Sequence, residues 1–497
     1  MNPEYLCFFF LVPVVFGILI FLFGRDSRAL PEGLAVVGSL ITFAFTAWIF
    51  ITTARGEIIT AIHEEFRIDA LGGLIAGLVA FIGLVAVIYS IPYLRREAER
   101  GDIQPTWFRK YYGWLMIFLS TMLWATTTNN IILLWVIIEA TTLASVILVA
   151  FYWNREALEA GYKYLMILTV GITFALFGCV LLYSGASPHI PSNIDPLKIS
   201  EIAKVAGKIP KSIALISVAL LLAGFGTKAG MVPFHTWLPD AHAEAPTPIS
   251  ALLSGVMIKV GIYAVIRTVI IFYPYYAAVS LLVLILGVIT MVVGVLMMFL
   301  QEDLKRFLAF CSVSSMGYIL MGLGLANYLG IYGGIFHLLN HSLMKALAFL
   351  SVGGVIYATR YRRVPDLGGL GKLLPMTGFT FFVAALALGG VPLFNGFMSE
   401  FTIFLAGIKA GYLWATIIAI LVSILSLAAF VHVTYRVFMG RLPENLEKED
   451  IREVPMAMWG GMLVLAIICV IIGIYPQIVY PILNEATKAV FATMAMP

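Results

Sequence analysis

The chain has 497 residues, of which 61% are hydrophobic and 12% charged, with a formal net charge of +4. A soluble protein of that composition would not stay in solution, so the bilayer is its solvent, and a nucleic-acid binder is not expected. The four cysteines, Cys7, Cys179, Cys311 and Cys469, stand singly in apolar segments, so neither a metal cluster nor haem nor any other cofactor is expected in this chain.

A spanning helix needs roughly 20 apolar residues, because each adds about 1.5 Å against a hydrocarbon core about 30 Å thick. Fourteen stretches meet that requirement: 5 to 23, 33 to 53, 70 to 94, 111 to 128, 130 to 153, 161 to 185, 212 to 234, 246 to 272, 276 to 300, 304 to 326, 328 to 357, 375 to 410, 412 to 438 and 455 to 482. The fold class is therefore an all-α integral membrane protein. The first stretch has no basic flank ahead of it and no small-residue cleavage site behind it, so it reads as a retained helix. The polar connections 95 to 110 and 186 to 211 are too short for a cofactor-binding domain.

Basic residues concentrate in cytoplasmic loops. Of the 31 Lys and Arg, 19 fall on the face carrying the loops after the odd-numbered helices and nine on the other. That bias places the first face in the cytoplasm of a cell (plasma) membrane and both termini outside. Three lysines belong to no loop: Lys228, Lys259 and Lys345.

In chain order, five ionisable residues inside the spans stand out: Glu139 in WVIIEATT, Lys228 in GFGTKAGMVPFH, Lys259 in SGVMIKVGIY, Lys345 in HLLNHSLMKALAF and Glu400 in NGFMSEF. Each costs at least about 2.5 to 3.5 kcal/mol near the bilayer centre, so each is a functional candidate, with a structural ion pair as the plainer reading. His337, His341 and Lys345 recur at intervals of four and share one helix face, a spacing of about 6 Å that suits a proton relay. Two spans are interrupted: the first by Gly230 and Pro233 beside Lys228, the second by Gly390 and Pro392 ahead of Glu400. Such breaks free backbone groups to line a wet cavity and point to ion sites in transporters built from repeats. The chain then divides into 1–110 (helices 1 to 3), 111–273 (a five-helix repeat), 274–440 (a second) and 441–497 (helix 14). An odd number of helices per repeat inverts one relative to the other.

The run from Gly226 to Tyr263, GTKAGMVPFHTWLPDAHAEAPTPISALLSGVMIKVGIY, resembles the antiporter-like subunits shared by respiratory complex I, Mrp-type sodium/proton antiporters and membrane-bound nickel-iron hydrogenases. The Glu139 helix, QEDLKRFLAFCSVSSMGYI, HLLNHSLMKALAF and GGVPLFNGFMSEF follow the same order. The resemblance implies that Glu139 pairs with Lys228, that Lys259 is the central relay lysine, that His337, His341 and Lys345 lie on the polar helix joining the halves, and that Glu400 is the terminal acid or base. His235 and Asp240 are supporting polar groups of the same run. A glutamate at the second break, with only fifteen residues after the last span, is closer to the complex I M-type, Mrp D-type and hydrogenase H-type subunits. IEATTLASVILVAFY followed by EALEAGYKYL is closest to the hydrogenase branch.

These features imply a proton route from Lys228 through Lys259 and the histidines to Glu400, controlled by the distance between Glu139 and Lys228. The chain has no nucleotide loop and no redox cysteine pair, so other membrane subunits, and through them a cytoplasmic redox module, would supply the energy. Two rivals remain at this stage: an exchanger of sodium for protons that works without redox partners, and a non-pumping scaffold or quinone-binding subunit.

Overall fold

The computed structural model describes residues 8–24, 28–447 and 450–494; Cys7 and the first residues of the expected first span lie outside them. Helices α1 (Leu11–Phe23) and α2 (Ala29–Thr53) lead into an antiparallel hairpin, β1 (Ile59–Ala61) and β2 (Phe66–Ile68), with Ile59 opposite Ile68. This hairpin departs from an all-α reading. Strands of three residues are too short to show alternation, and the turn takes left-handed backbone at Ile62, His63 and Glu64, none of them glycine.

Helix α3 (Ala70–Glu99) starts at Asp69, whose carboxylate accepts from the amides of Leu71 and Gly72. It runs five residues past the apolar stretch, so Glu97 is helical and buried. Next come α4 (Trp107–Ala125), α5 (Ile131–Val149), α6 (Arg155–Ala186), the short α7 (Ile199–Val205) and α8 (Lys211–Ala229). Beyond the first break lie α9 (Trp237–Glu244) and then α10 (Thr247–Leu252) and α11 (Ile258–Val269), which form one span around a π turn, Leu253–Met257. The second half holds α12 (Ala277–Phe299), α13 (Leu304–Gly324), α14 (Tyr328–Thr359), α15 (Pro375–Leu388), α16 (Asn395–Lys409), α17 (Leu413–Phe438), the single turn α18 (Glu444–Glu447) and α19 (Met456–Ile474). The last expected span stops short at Ile474, where Pro476 opens a tight turn, and α20 (Tyr480–Met494) packs back on α3 and α14.

Among the described residues eleven helices are long and apolar enough to cross a membrane, and Leu11–Phe23 and Pro375–Leu388 are shorter apolar ones. The span of α10 and α11 and that of α13 are buried throughout, while α2, α6, α17 and α19 expose most of theirs. The polar residues therefore sit at the centre of a bundle whose outer helices present apolar side chains to lipid or to other proteins. Helix α14 touches α3, α10, α13, α15, α16, α19 and α20, which makes it the axis of the molecule.

Candidate functional site

The first break follows from Gly230. Helix α8 ends there in left-handed backbone (φ 74°), its amide bonding back to the last turn, and a cis Val232–Pro233 bond follows. The freed groups find new partners: Trp237 Nε1 donates to the Thr227 carbonyl at 2.9 Å, and the Val232 amide to Thr290 Oγ1 at 3.2 Å. Lys228, in the last turn of α8, is 1% exposed. Its Nζ donates to Thr142 Oγ1 at 2.9 Å and stands 5.9 Å from the centre of the Tyr164 ring.

Glu139 does not form the expected ion pair with Lys228. Its Oε1 accepts from Thr169 Oγ1 of α6 at 2.9 Å, and its Oε2 is buried with no hydrogen-bond partner. On α5, Thr142 comes three residues after Glu139, only about 60° round the helix, and the hydroxyl meets Lys228 of α8 while the carboxylate meets Thr169 of α6. Thr169 is exposed, so the Glu139 pair lies at the flank of the bundle.

Lys259 occupies the centre. Its Nζ donates to the Ser254 carbonyl at 2.5 Å, five residues back across the π turn, and lies 2.6 Å from His341 Nδ1. This contact joins α11 to α14, and so the two halves. On α14 the rings of His337 and His341 are 6.1 Å apart and 22° from parallel, while Lys345 Nζ donates to the Leu308 carbonyl at 2.8 Å. His337 Nδ1 is 3.0 Å from Ser399 Oγ, and the Nε2 atoms of both histidines are buried without a partner.

Ser399 belongs to α16, beyond the second break, where Gly390 (φ 67°) and Leu393 (φ 79°) both take left-handed backbone around Pro392. Any side chain at 390 would also collide with Glu400, because a Cβ there would stand 2.5 Å from Oε2. Glu400 is 5% exposed, and its Oε2 accepts from Ser423 Oγ at 2.7 Å. Asn340 and Asn395 exchange hydrogen bonds of 2.7 and 3.2 Å behind the histidines.

The structure thus joins Lys259 to His341 and sets His337 and Lys345 one turn to either side of His341 along α14, with Lys228 and Glu400 buried near the two breaks. His235 is partly buried beside Phe310 and has no partner for Nδ1. Asp240 stays apart, in surface ion pairs with Arg306 (2.6 Å) and Lys163 (3.5 Å). Among the described residues none of Lys228, Lys259 and Lys345 lies within 4 Å of a carboxylate, and no three His, Cys, Asp or Glu side chains converge as a metal site. An uncompensated buried ammonium costs several kcal/mol, so these lysines are not held in place by ion pairing. Sequence reasoning missed Thr142, Ser399 and His242. His242 is fully buried, stacked on Phe349 at 5.0 Å, with neither ring nitrogen bonded. Its only signal was a second histidine seven residues after His235.

A family model described as "NADH:quinone oxidoreductase/Mrp antiporter, TM" matches residues 128–426. The hydrogenase-4 component F homolog of Methylacidiphilum infernorum (isolate V4) is 35% identical over 357 residues, 71% of this chain and 75% of that protein. NADH-quinone oxidoreductase subunit N of Desulforudis audaxviator (strain MP104C) is 31% identical over 429 residues, 83% and 82% of the two chains. A chain in the structure of the membrane-bound sulfane sulfur reductase, an archaeal respiratory membrane complex, shares the fold at a TM-score of 0.87, with 23% identity over 99% of each chain.

Proposed function

Because the chain belongs to the NADH:quinone oxidoreductase/Mrp antiporter membrane family, we propose that it is a proton-translocating, antiporter-like subunit of a redox-driven membrane complex, with a membrane-bound hydrogenase as its parent. The observation that carries this reading is the row of buried lysines and histidines with hydroxyl, carbonyl and imidazole partners in place of carboxylates. A structural ion pair has no need of that arrangement. A proton carrier does, because each group must both accept and surrender a charge.

In this reading Lys228 holds a proton at the first break and passes it through water and Lys259 to His341 and His337. The proton leaves beside Glu400, and Glu139 modulates Lys228 from the flank. Joining α15 to α16 across the second break, and adding α1 and α4 to the eleven long apolar helices, gives fourteen spans. Helices 4 to 8 and 9 to 13 are then two inverted repeats with one break each. The basic loops place the 95–110 and 358–374 connections in the cytoplasm, and both termini outside a plasma membrane. Glu139 supports an adjoining subunit, since a carboxylate with an unpartnered oxygen at the bundle flank needs cover from lipid.

Transport of sodium in exchange for protons uses the same charges, and the family name spans both kinds of complex. Copurification separates the readings: an iron-sulfur or nickel-containing partner supports redox coupling, and a purely membrane assembly supports exchange. The direct test is Lys228→Ala in the intact complex reconstituted in vesicles. Proton transport is expected to vanish with assembly retained, and a normal gradient would refute the role of Lys228.

A further inference from the structure

Helix α11 carries Lys259, Tyr263 and Arg267 at intervals of four, so the three share one flank of the helix and rise about 6 Å per step. A helical side chain covers the turn before its own Cα, which sets Tyr263 over the turn of Lys259 and Arg267 over that of Tyr263. The second of these steps is a direct contact: the Arg267 guanidinium lies 4.8 Å from the centre of the Tyr263 ring. Lys259 and Tyr263 are both buried, and the Tyr263 hydroxyl donates to the Thr126 carbonyl at 3.3 Å. Lys259 reaches the other way, to the Ser254 carbonyl and to His341, so its ammonium belongs to the carrier row and the tyrosine closes behind it.

Tyr263 and Arg267 also line a cavity of about 110 Å³, room for several waters. Its walls come from β2, the start of α3, α7, α11 and α20, and Ile58 and Ala492 among them are exposed. The cavity therefore opens at the end of α3 that carries Asp69, the face opposite the 95–110 connection. Its charged lining residues are Arg67, Asp69 and Arg267. Asp69 accepts from Arg267 at 2.5 Å and from the amides of Leu71 and Gly72, so its one negative charge is shared between the guanidinium and the positive end of α3. Arg67 forms no salt bridge among the described residues. Two guanidiniums against one shared carboxylate leave the cavity positive.

We propose that Arg267 seals the carrier row at this face: its fixed charge, stacked on Tyr263, repels hydronium in the cavity from Lys259, so that a proton gradient built across the membrane does not drain back through the row. An arginine facing a narrow polar passage excludes protons and other cations by the same repulsion. Residues 259 and 267 are eight apart, about 12 Å along α11, and a unit charge acting over that distance at an effective dielectric of about 20 changes the occupancy of a cation about tenfold. Tying α3 to α11 needs only an ion pair, of either sense. Sealing needs the cation stacked on the ring that covers the turn of Lys259, and that is where the guanidinium stands. The proposal rests on the reading of this chain as a proton carrier and adds what keeps that carrier from leaking.

The test uses the intact complex in vesicles without turnover, with a pH step imposed across the membrane and its decay followed by a dye trapped inside. Arg267→Gln is expected to speed the decay about tenfold, and Arg267→Lys to restore most of the tightness. Adding Lys259→Gln to Arg267→Gln is expected to return the decay to the wild-type rate, because the leak then has no acceptor. Asp69→Asn breaks the same ion pair but keeps the positive charge, so it is expected to stay tight. A tight Arg267→Gln overturns the seal. So does a leak that Lys259→Gln leaves in place, and so does an equal leak in Asp69→Asn, which marks the ion pair as a structural plug. Should Arg267→Gln fail to assemble, its combination with Asp69→Asn decides, since that removes the guanidinium without stranding the carboxylate: a leak supports the seal and a tight vesicle overturns it. Driven transport by Lys228→Ala is measured in the same preparation. Normal transport there overturns the carrier reading itself, whereas a tight Arg267→Gln beside an inactive Lys228→Ala overturns only the seal.

Discussion

The 2.6 Å contact between Lys259 Nζ and His341 Nδ1 is where the two halves of the molecule exchange charge in the proposed route, and its contribution is measurable. Lys259→Gln and His341→Asn each remove the contact while keeping a polar side chain that water can bridge. A hydrogen bond involving a charged group contributes about 1.5 to 3 kcal/mol. With tenfold in rate for about each 1.4 kcal/mol, the contact accounts for roughly 10- to 150-fold. Each single variant loses that factor, and the double variant loses it only once. The product of the two single losses should therefore exceed the double loss by about 10- to 150-fold. The assay is initial proton transport into vesicles by the wild type, both single variants and the double, with equal assembly in each. Losses that multiply to within about twofold would show that Lys259 and His341 act independently, and a transfer between them would have to be abandoned.

Gly261 of α11 packs on α8 beside Lys228, and a Cβ there would stand 2.7 Å from the Ala229 amide nitrogen. Gly261→Ala must push the two helices apart, at about 1 to 3 kcal/mol, and should lower the melting temperature of the detergent-solubilised complex. Glu139→Gln and Lys228→Ala should combine with little more loss than either alone, since in the proposed route Glu139 acts only through Lys228; losses that multiply would remove Glu139 from control of Lys228. Cysteines introduced into the 95–110 or 358–374 connections should stay unlabelled by an impermeant thiol reagent outside intact cells, and labelling would reverse the orientation. At Asp69, burial alone would raise the carboxyl, but the Arg267 guanidinium 2.5 Å away overrides it and holds it below the usual carboxylate range. Its stabilising contribution is thus complete above the ordinary aspartate range and lost as pH falls through the depressed value, so acid should narrow the stability gap between wild type and Asp69→Asn.

The helix breaks were legible because Gly230 with Pro233 and Gly390 with Pro392 are backbone signals that need no knowledge of neighbours. The face shared by His337, His341 and Lys345 was legible for a similar reason, since spacing along one helix sets azimuth. Partner choice was not. Whether Lys228 meets Glu139 or Thr142 depends on how α5 is rotated against α8, and three residues of α5 separate the two answers. Glu97 escaped notice because the apolar stretch ends at 94, whereas the helix continues to Glu99 and carries the carboxylate into the protein. The hairpin at 59–68 lies in mixed sequence with no period to read, and the turn at Pro476 lies inside an apolar stretch that reads as one continuous span.

The π turn at Leu253–Met257 carries one residue more than an α-helical turn would. A helical wheel drawn through the whole span from Thr247 therefore falls out of phase by about 100° beyond Met257. On such a wheel Lys259 lands a quarter-turn or more away from His341, although the two atoms are in contact. Alignments that treat this span as uninterrupted will pair its second half with the wrong neighbours. Shortening the turn by one residue would keep every side chain of α11 in the sequence and rotate all of them off their partners.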